Sequence, residues 1–417
     1  MKRSEAAYLA SASLSALGNS LCAVILPVLV LMTTGSVLSA GVVALATGLP
    51  QFVAAAAGGV VLDRVNRRTA AIAGDVISAV AVAALPIVAA TNGLTTGWFA
   101  AFGALSALGD VPALTAREAL VPELTRITGT QKERLIGVRE ALSSVSMLAG
   151  PALASVLLVT VTPAAALWVT AATSALAGLS MLAVPHNVCQ PAASPGPGTG
   201  PALVEFIAGA RYLLFGNPTL RAVTAVGLAV AVVVAAFQGI VLPVHFTQEG
   251  QPGRIGLTLC AIIVGTLVGA GIYAAAHQRL NARVTLAVGS AAVAAGAWAL
   301  SAIPAFPLIV LSAGVIGVGT GALSALLASL TLDHSPAAMR GRVLGNQNAL
   351  TMGLAPFVTM GAAVLIDNTG VRGAAVALAG LLTCALVATL ASPSLRRRAL
   401  SGEQPPPSLT RDAAEAK

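Results

Sequence analysis

Four ionisable residues sit where the surrounding sequence is fit only for lipid. Asp75, Asp110, Arg139 and Glu140 interrupt long apolar blocks in a chain of 417 residues that is 57% apolar and 9% charged. An ionisable group held within a bilayer is costly, so each of these needs a task. Two tasks fit the spacing. In one, Asp75 and Asp110 pair with Arg117 or Arg139 and form a static gate. In the other, Glu140 or Asp110 binds a coupling proton, because a carboxylate enclosed by apolar groups holds its proton more tightly than one in water and exchanges it as its exposure changes. All of these groups lie in the first half of the chain; Asp333 and Asp367 fall at the ends of apolar blocks in the second.

A second set can bind without titrating. Asn19, Gln51, Gln238, Asn346, Gln347 and Asn348 stand among Ala, Val, Leu and Gly, and with Arg139, Met147 and Phe237 they are candidates to line a binding cavity. For each amide a hydrogen bond between helices accounts for the residue as well as a substrate contact does. Phe237 fits packing better than stacking on a ligand. A cavity with so few polar groups suits small hydrophobic or amphiphilic compounds rather than sugars, which need many paired hydroxyl contacts.

Enzymatic chemistry finds no foothold. The chain has no glycine-rich phosphate loop ending in lysine and no Gly-x-Ser-x-Gly elbow. His186, His245, His277 and His334 are scattered without metal-ligand spacing, and Cys22, Cys189, Cys260 and Cys384 lie far apart. Neither a cofactor nor a metal is expected.

The elements that must hold these residues are membrane helices. Mean hydropathy is +0.88, and most apolar blocks exceed the roughly 18 residues that read as a span. Lipid offers the backbone no hydrogen-bond partners, and the alternation of barrel strands is missing, so the spans are helical. They are expected at 7–32, 38–62, 69–91, 97–116, 134–160 and 164–185, then at 219–246, 255–276, 284–303, 307–331, 344–366 and 373–392. This divides the chain into a six-helix bundle over 1–185, a linker over 186–218, a second six-helix bundle over 219–392 and a disordered tail over 393–417. The linker opens with a Pro/Gly/Ser stretch from Gln190 to Pro201. It continues from Leu203 to Phe215 with apolar residues at helical spacing, which reads as a short amphipathic helix on the membrane surface.

Net charge is +8 and the sequence pI about 10. A soluble protein with that balance would suggest nucleic acid; here the basic residues follow the membrane. With the N-terminus inside, twenty of the 23 Lys and Arg fall in inside loops, only Arg254 and Arg372 fall outside, and Arg139 lies in a span. Trp98, Trp168 and Trp298 sit near the outer ends of their spans, as an aromatic belt requires. Both termini are therefore expected in the cytoplasm.

One half repeats the other. Asp63-Arg-Val-Asn66-Arg-Arg68 after the second span matches Gln278-Arg-Leu-Asn281-Ala-Arg283 after the eighth at an offset of 215; Arg134-Leu-Ile-Gly137 matches Arg342-Val-Leu-Gly345 at 208. Two matches at nearly one offset point to duplicated halves.

The most specific local signal is Gly59-Val-Val-Leu-Asp63-Arg64-Val-Asn66-Arg67-Arg68. A glycine lets helices approach, an aspartate at a helix end pairs with arginines or with a helix dipole, and Asn66 tolerates the left-handed conformation of a tight turn. This segment resembles the G-x-L-x-D-R-x-G-R-R loop of the major facilitator superfamily, with Asn66 in place of glycine. Leu17-Gly18-Asn19, Thr34-Gly35-Ser36, Leu49-Pro50, Thr115 to Glu123, Gly150-Pro151 and Arg340-Gly-Arg342-Val343 extend the likeness over the whole chain. They place it nearest the branch that holds Tap-like multidrug efflux proteins and enterobactin-type exporters. Gly150-Pro151 matches only the core of the superfamily's antiporter motif, with Ser146 where a glycine is usual.

The resemblance implies two bundles rocking about a central site. It implies an inner charge relay of Asp63, Arg64 and Arg68, and with these Gly59, Arg67, Asp75, Arg117 and Arg342 complete the candidate gating set. It further implies a proton-coupled exporter, monomeric, in a bacterial cytoplasmic membrane. A dedicated carrier for one metabolite or siderophore is the alternative.

Overall fold

The computed structural model describes residues 3–62, 65–185, 210–213, 217–277, 279, 281–303, 305–335 and 339–391, nearly all of them helical. Eleven of the helices are long and apolar enough to cross a membrane. In the first half these are α1 (Arg3–Thr34), α2 (Val37–Leu62), α3 (Arg67–Thr91), α4 (Thr96–Thr128), α5 (Lys132–Thr160) and α6 (Pro163–Leu182). In the second they are α7 (Pro218–Gln248, with a π-helical turn at Phe237–Val241), α8 (Arg254–Ala276), α9 (Ala282–Ser301) and α10 (Phe306–His334). The eleventh, Arg340–Leu390, has 51 residues, about 77 Å at 1.5 Å per residue and more than twice a hydrocarbon core of about 30 Å. It breaks at Gly370, whose φ of 78° and ψ of 170° suit only a residue without Cβ, so it comprises two arms, α11 (340–369) and α12 (371–390). Of the expected linker helix, only 210–213 are described, in helical conformation; 186–209, the tail 392–417, and the loop residues Asp63 and Arg64 lie outside the described residues.

Two local expectations are corrected. Asn66 does not adopt the left-handed conformation: at φ −60° and ψ 121° it is the N-cap of α3, and its side chain accepts hydrogen bonds from the backbone N–H groups of Arg68 (3.0 Å) and Thr69 (3.2 Å). The fourth span does not stop at 116. α4 continues three turns to Thr128 and ends on Gly129, because Arg117 is buried rather than left in a loop.

The repeat is visible in the coordinates. Asn281, 215 residues after Asn66, caps α9 at φ −69° and ψ 133° and accepts from Arg283 N at 3.0 Å. Gly74 of α3 and Gly109 of α4 each lie against the other's carbonyl oxygen; Gly289 of α9, again 215 residues on, and Gly319 of α10 do the same. Such backbone approach is how small residues drive helix association where the hydrophobic effect is absent.

Among the described residues, the two halves meet from one end to about mid-helix, where Gly353 of α11 lies against Phe52 of α2. That end carries Trp98, Trp168 and Trp298, all exposed near helix ends; the other carries the basic loops. Near the Trp-bearing end, Gly41 and Gly48 of α2 pack on Met360, Ala363 and Pro356 of α11. Gly253 and Gly256 at the start of α8 fit against Val159, Ser155 and the Pro151 backbone of α5. One hydrophobic cluster runs through this seam, from Leu21–Leu31 of α1 to Phe237–Phe246 of α7 and Ile366 of α11. A second cluster, around Tyr8, Leu120 and Met181, is confined to the first half. Toward the basic end the close contacts give out: Gly137 of α5, Gly271 of α8 and Gly345 of α11 meet nothing within 4 Å, and Val145 of α5 is 64% exposed and Leu267 of α8 51%. The result is a cleft that opens toward the basic loops.

Candidate functional site

The chemistry of the first half is concentrated on three helices. Tyr8, Ser11 and Ser15 share one face of α1 by their spacing of three and four; Asp75 comes from α3 and Arg117 from α4. The Asp75 and Arg117 side chains are each 2% exposed and form an ion pair through Nη2 and Oδ2. Arg117 Nε donates to Ser11 Oγ at 3.1 Å and Nη1 to Ser15 Oγ at 3.2 Å, while Ser15 Oγ donates to Asp75 Oδ1 at 3.4 Å. The Tyr8 hydroxyl donates to the Arg117 carbonyl at 3.1 Å. Removing two charges from water costs more than their attraction returns unless hydrogen bonds satisfy the remaining atoms, and the α1 hydroxyls provide them.

Toward the middle of the bilayer the polar groups continue without a cation. Ser78 of α3 and Ser106 of α4 share a hydrogen bond of 2.9 Å, and Ser106 Oγ donates to Asp110 Oδ2 at 3.2 Å. Asp110 is half-buried and makes no ion pair among the described residues. Asp75 and Asp110, grouped together on sequence grounds, therefore stand in different environments.

Arg139 and Glu140 stand elsewhere. α1 packs between α4 and α5, and Arg139 reaches across it, pairing with Glu140 on its own helix and with Glu118 Oε1 of α4 at 3.4 Å. Glu118 and Glu140 are more than half exposed, so this bridge lies on the open face of the bundle.

The remaining candidates divide by location. Asn19, Gln51, Met147 and Asn348 are exposed. Asn19 lies on α1, which packs against α2, α4, α5, α6 and α7, and it remains exposed there. Gln347 of α11 ties down two neighbours, donating to Thr224 Oγ1 of α7 at 2.6 Å and to Thr331 Oγ1 of α10 at 3.4 Å. Gln238 is half-buried in the π-helical turn; Phe237 beside it is 2% exposed and packs in the seam.

Of the gating set, Arg67 Nη1 donates to the Ala119 carbonyl of α4 at 2.9 Å, and Arg68 donates to Met181 O at 3.3 Å and Leu182 O at 2.7 Å. Arg68 thus supplies a cation and donors to the carbonyl end of α6. Both brace the first half internally in this state. Gly59 and Arg342 lie within α2 and α11, where only the backbone is described.

Sequence reasoning passed over Tyr8, Ser11, Ser15, Ser78, Ser106 and Glu118. A signal existed: Ser78 follows Asp75 by three residues and Ser106 precedes Asp110 by four, the spacings that place two side chains on one helix face.

Residues 8–240 match the Major Facilitator Superfamily. The chain is 29% identical over 390 residues to the multidrug efflux pump Tap of Mycobacterium tuberculosis, covering 92% of each protein. It is 28% identical over 391 residues to the multidrug efflux pump Tap of Mycolicibacterium fortuitum, covering 93% of this chain and 95% of that one. Among solved structures it resembles the nucleoside transporter NupG with TM-score 0.73 at 14% identity, covering 94% of this chain and 99% of that chain. It also resembles a bacterial homolog of the human lysosomal transporter Spinster in its inward-facing, unoccupied conformation. There the TM-score is 0.68 at 16% identity, over 97% and 98% of the two chains.

Proposed function

The chain belongs to the major facilitator superfamily, and on that premise we propose that it exports hydrophobic and amphiphilic compounds in exchange for protons, by alternating access across a bacterial cytoplasmic membrane. It is a carrier, not an enzyme. In this reading the twelve spans leave both termini and the basic loops in the cytoplasm. The described state is then the one that loads substrate from inside.

The observation that carries the reading is the distribution of polarity along the cleft. Val145, Met147, Val264 and Leu267 are exposed, and in this reading they form its apolar walls. The ionisable groups belong to the first half, where, among the described residues, Asp110 has a hydroxyl partner and makes no ion pair, whereas Asp75 and Glu140 are each paired with an arginine. Protonating Glu140 breaks its pair with Arg139, and protonating Asp75 breaks its pair with Arg117; protonating Asp110 breaks none. Asp110 is therefore the coupling carboxylate in this account, Glu140 a member of the Arg139 bridge, and Asp75–Arg117 a structural pair. Asn19, Gln51, Met147 and Asn348 supply the contacts to substrate, with the protein acting as a monomer. The likeness to multidrug efflux pumps over more than nine-tenths of each chain supports the same substrate class.

The energetics suffice. One charge moving down 100 mV releases about 2.3 kcal/mol, which sustains a gradient of roughly fifty-fold per proton without nucleotide hydrolysis. Cells expressing the protein should accumulate less of a lipophilic dye such as ethidium than cells without it, and a protonophore should erase the difference. Unchanged accumulation across a broad panel of hydrophobic compounds would replace this reading with a carrier for one metabolite.

A further inference from the structure

Helix packing does not account for two of the hydroxyls beside Asp110. Ser78 of α3 and Ser106 of α4 are 2% and 7% exposed, and each stands one turn from the contact of Gly74 with Gly109. In the second half the same contact is made by Gly289 of α9 and Gly319 of α10. Carried over at those offsets of 215 and 210, the two serines become Val293 and Ile316, which are 0% and 2% exposed and belong to the apolar core. An apolar pair thus fills the equivalent crossing, and two hydroxyls buried in the first half need another reason.

Asp110 supplies it. Ser106 has one hydroxyl proton and donates it to Asp110 Oδ2 at 3.2 Å, so in the 2.9 Å contact between the serines the donor is Ser78. Both hydroxyls are therefore aimed at an ionised carboxylate. A hydroxyl can also accept, which the guanidinium beside Asp75 cannot do. On the reading that Asp110 carries the coupling proton, we propose that Ser78 and Ser106 are positioning residues for that step, a pair that reverses its donor direction when Asp110 is protonated. The incoming proton comes from water and bonds to Oδ2, which then donates to Ser106 Oγ. Ser106 turns its own proton to Ser78 Oγ, and Ser78 turns to the Gly74 carbonyl one turn back, a bond open to a helical serine. Neither serine gives up its proton; each only rotates. Asp110 keeps a hydrogen bond in both states, and neither state leaves a buried polar group unpaired.

Infrared difference spectroscopy of the full chain in lipid bilayers, titrated with acid, tests this. The protonated carboxyl stretch of Asp110 is the band that Asp110→Asn removes. Ser106→Ala should move that band toward the frequency of an unbonded carboxyl. It should also raise the proton affinity of Asp110 about tenfold, because the bond lost to the ionised carboxylate is stronger than the one lost to the acid. Ser78→Ala should shift the midpoint the same way by about threefold, through the weakened Ser106 donor. Ser106→Thr keeps the hydroxyl and should restore both the band and the midpoint. A band and midpoint unmoved in both alanine variants, or a shift that Ser106→Thr leaves in place, would overturn the proposal. The band is read without transport, so its failure is distinct from failure of the coupling role, which proton-driven export by Asp110→Asn would refute.

Discussion

Asp110→Asn is expected to abolish proton-driven export while leaving substrate binding intact. The amide preserves the hydrogen bond from Ser106 Oγ but cannot carry a proton between the two faces. In proteoliposomes, substrate-induced proton movement should fall on the order of a hundredfold, the usual scale for losing a proton-transfer group. Exchange of labelled for unlabelled substrate, which needs no net proton transfer, should survive. Glu140→Gln is the discriminating control. It removes one side of the Arg139 bridge, and it should change substrate affinity more than proton stoichiometry. If Glu140→Gln uncouples the carrier and Asp110→Asn does not, the two roles are reversed and the argument from ion pairing fails.

The second large effect concerns stability. Arg117→Leu leaves Asp75, 2% exposed, facing Ser15 with no cation. Breaking a buried pair by removing one partner typically costs about 3–5 kcal/mol, because the surviving charge is stranded. The variant should therefore show a sharply lower thermal midpoint in detergent and a reduced yield of folded protein. The double variant Asp75→Leu with Arg117→Met removes both charges at similar volume and should regain most of the loss. Full stability in the single variant would mean that the pair contributes little to holding α1, α3 and α4 together.

Periodicity and local chemistry are the parts of this fold that the sequence makes legible. Apolar blocks place the spans, and they separate the last two arms of the second bundle although Arg340–Leu390 is helical on both sides of Gly370. The offset of 215 reappears as matched caps at Asn66 and Asn281. Asp75 and Arg117 can be nominated as partners because membrane charges need partners, but their separation along the chain offers no reason to prefer Arg117 over Arg139. The hydroxyls of Ser11 and Ser15 are invisible because serine is common in apolar helices and only contact distinguishes a ligand from a packing residue. The seam is hidden for a different reason. Gly256 meets Pro151 across more than a hundred residues, a contact that no helical period encodes. Asn66 misleads because a turn and an N-cap favour the same residue, and its backbone, at φ −60° and ψ 121°, separates them.

The central claim is that two rigid halves pivot so that the cleft faces one side of the membrane at a time. Paired spin labels in lipid nanodiscs, on a background without native cysteine, report it. One pair replaces Ala141 of α5 and Gly271 of α8 at the basic end; the other replaces Thr160 and Gln251 at the Trp-bearing end. The account predicts two populations for each pair, redistributed in opposite directions as pH changes, with the redistribution lost in Asp110→Asn. Distances that stay fixed at all pH values, or that lengthen together at both ends, would contradict it.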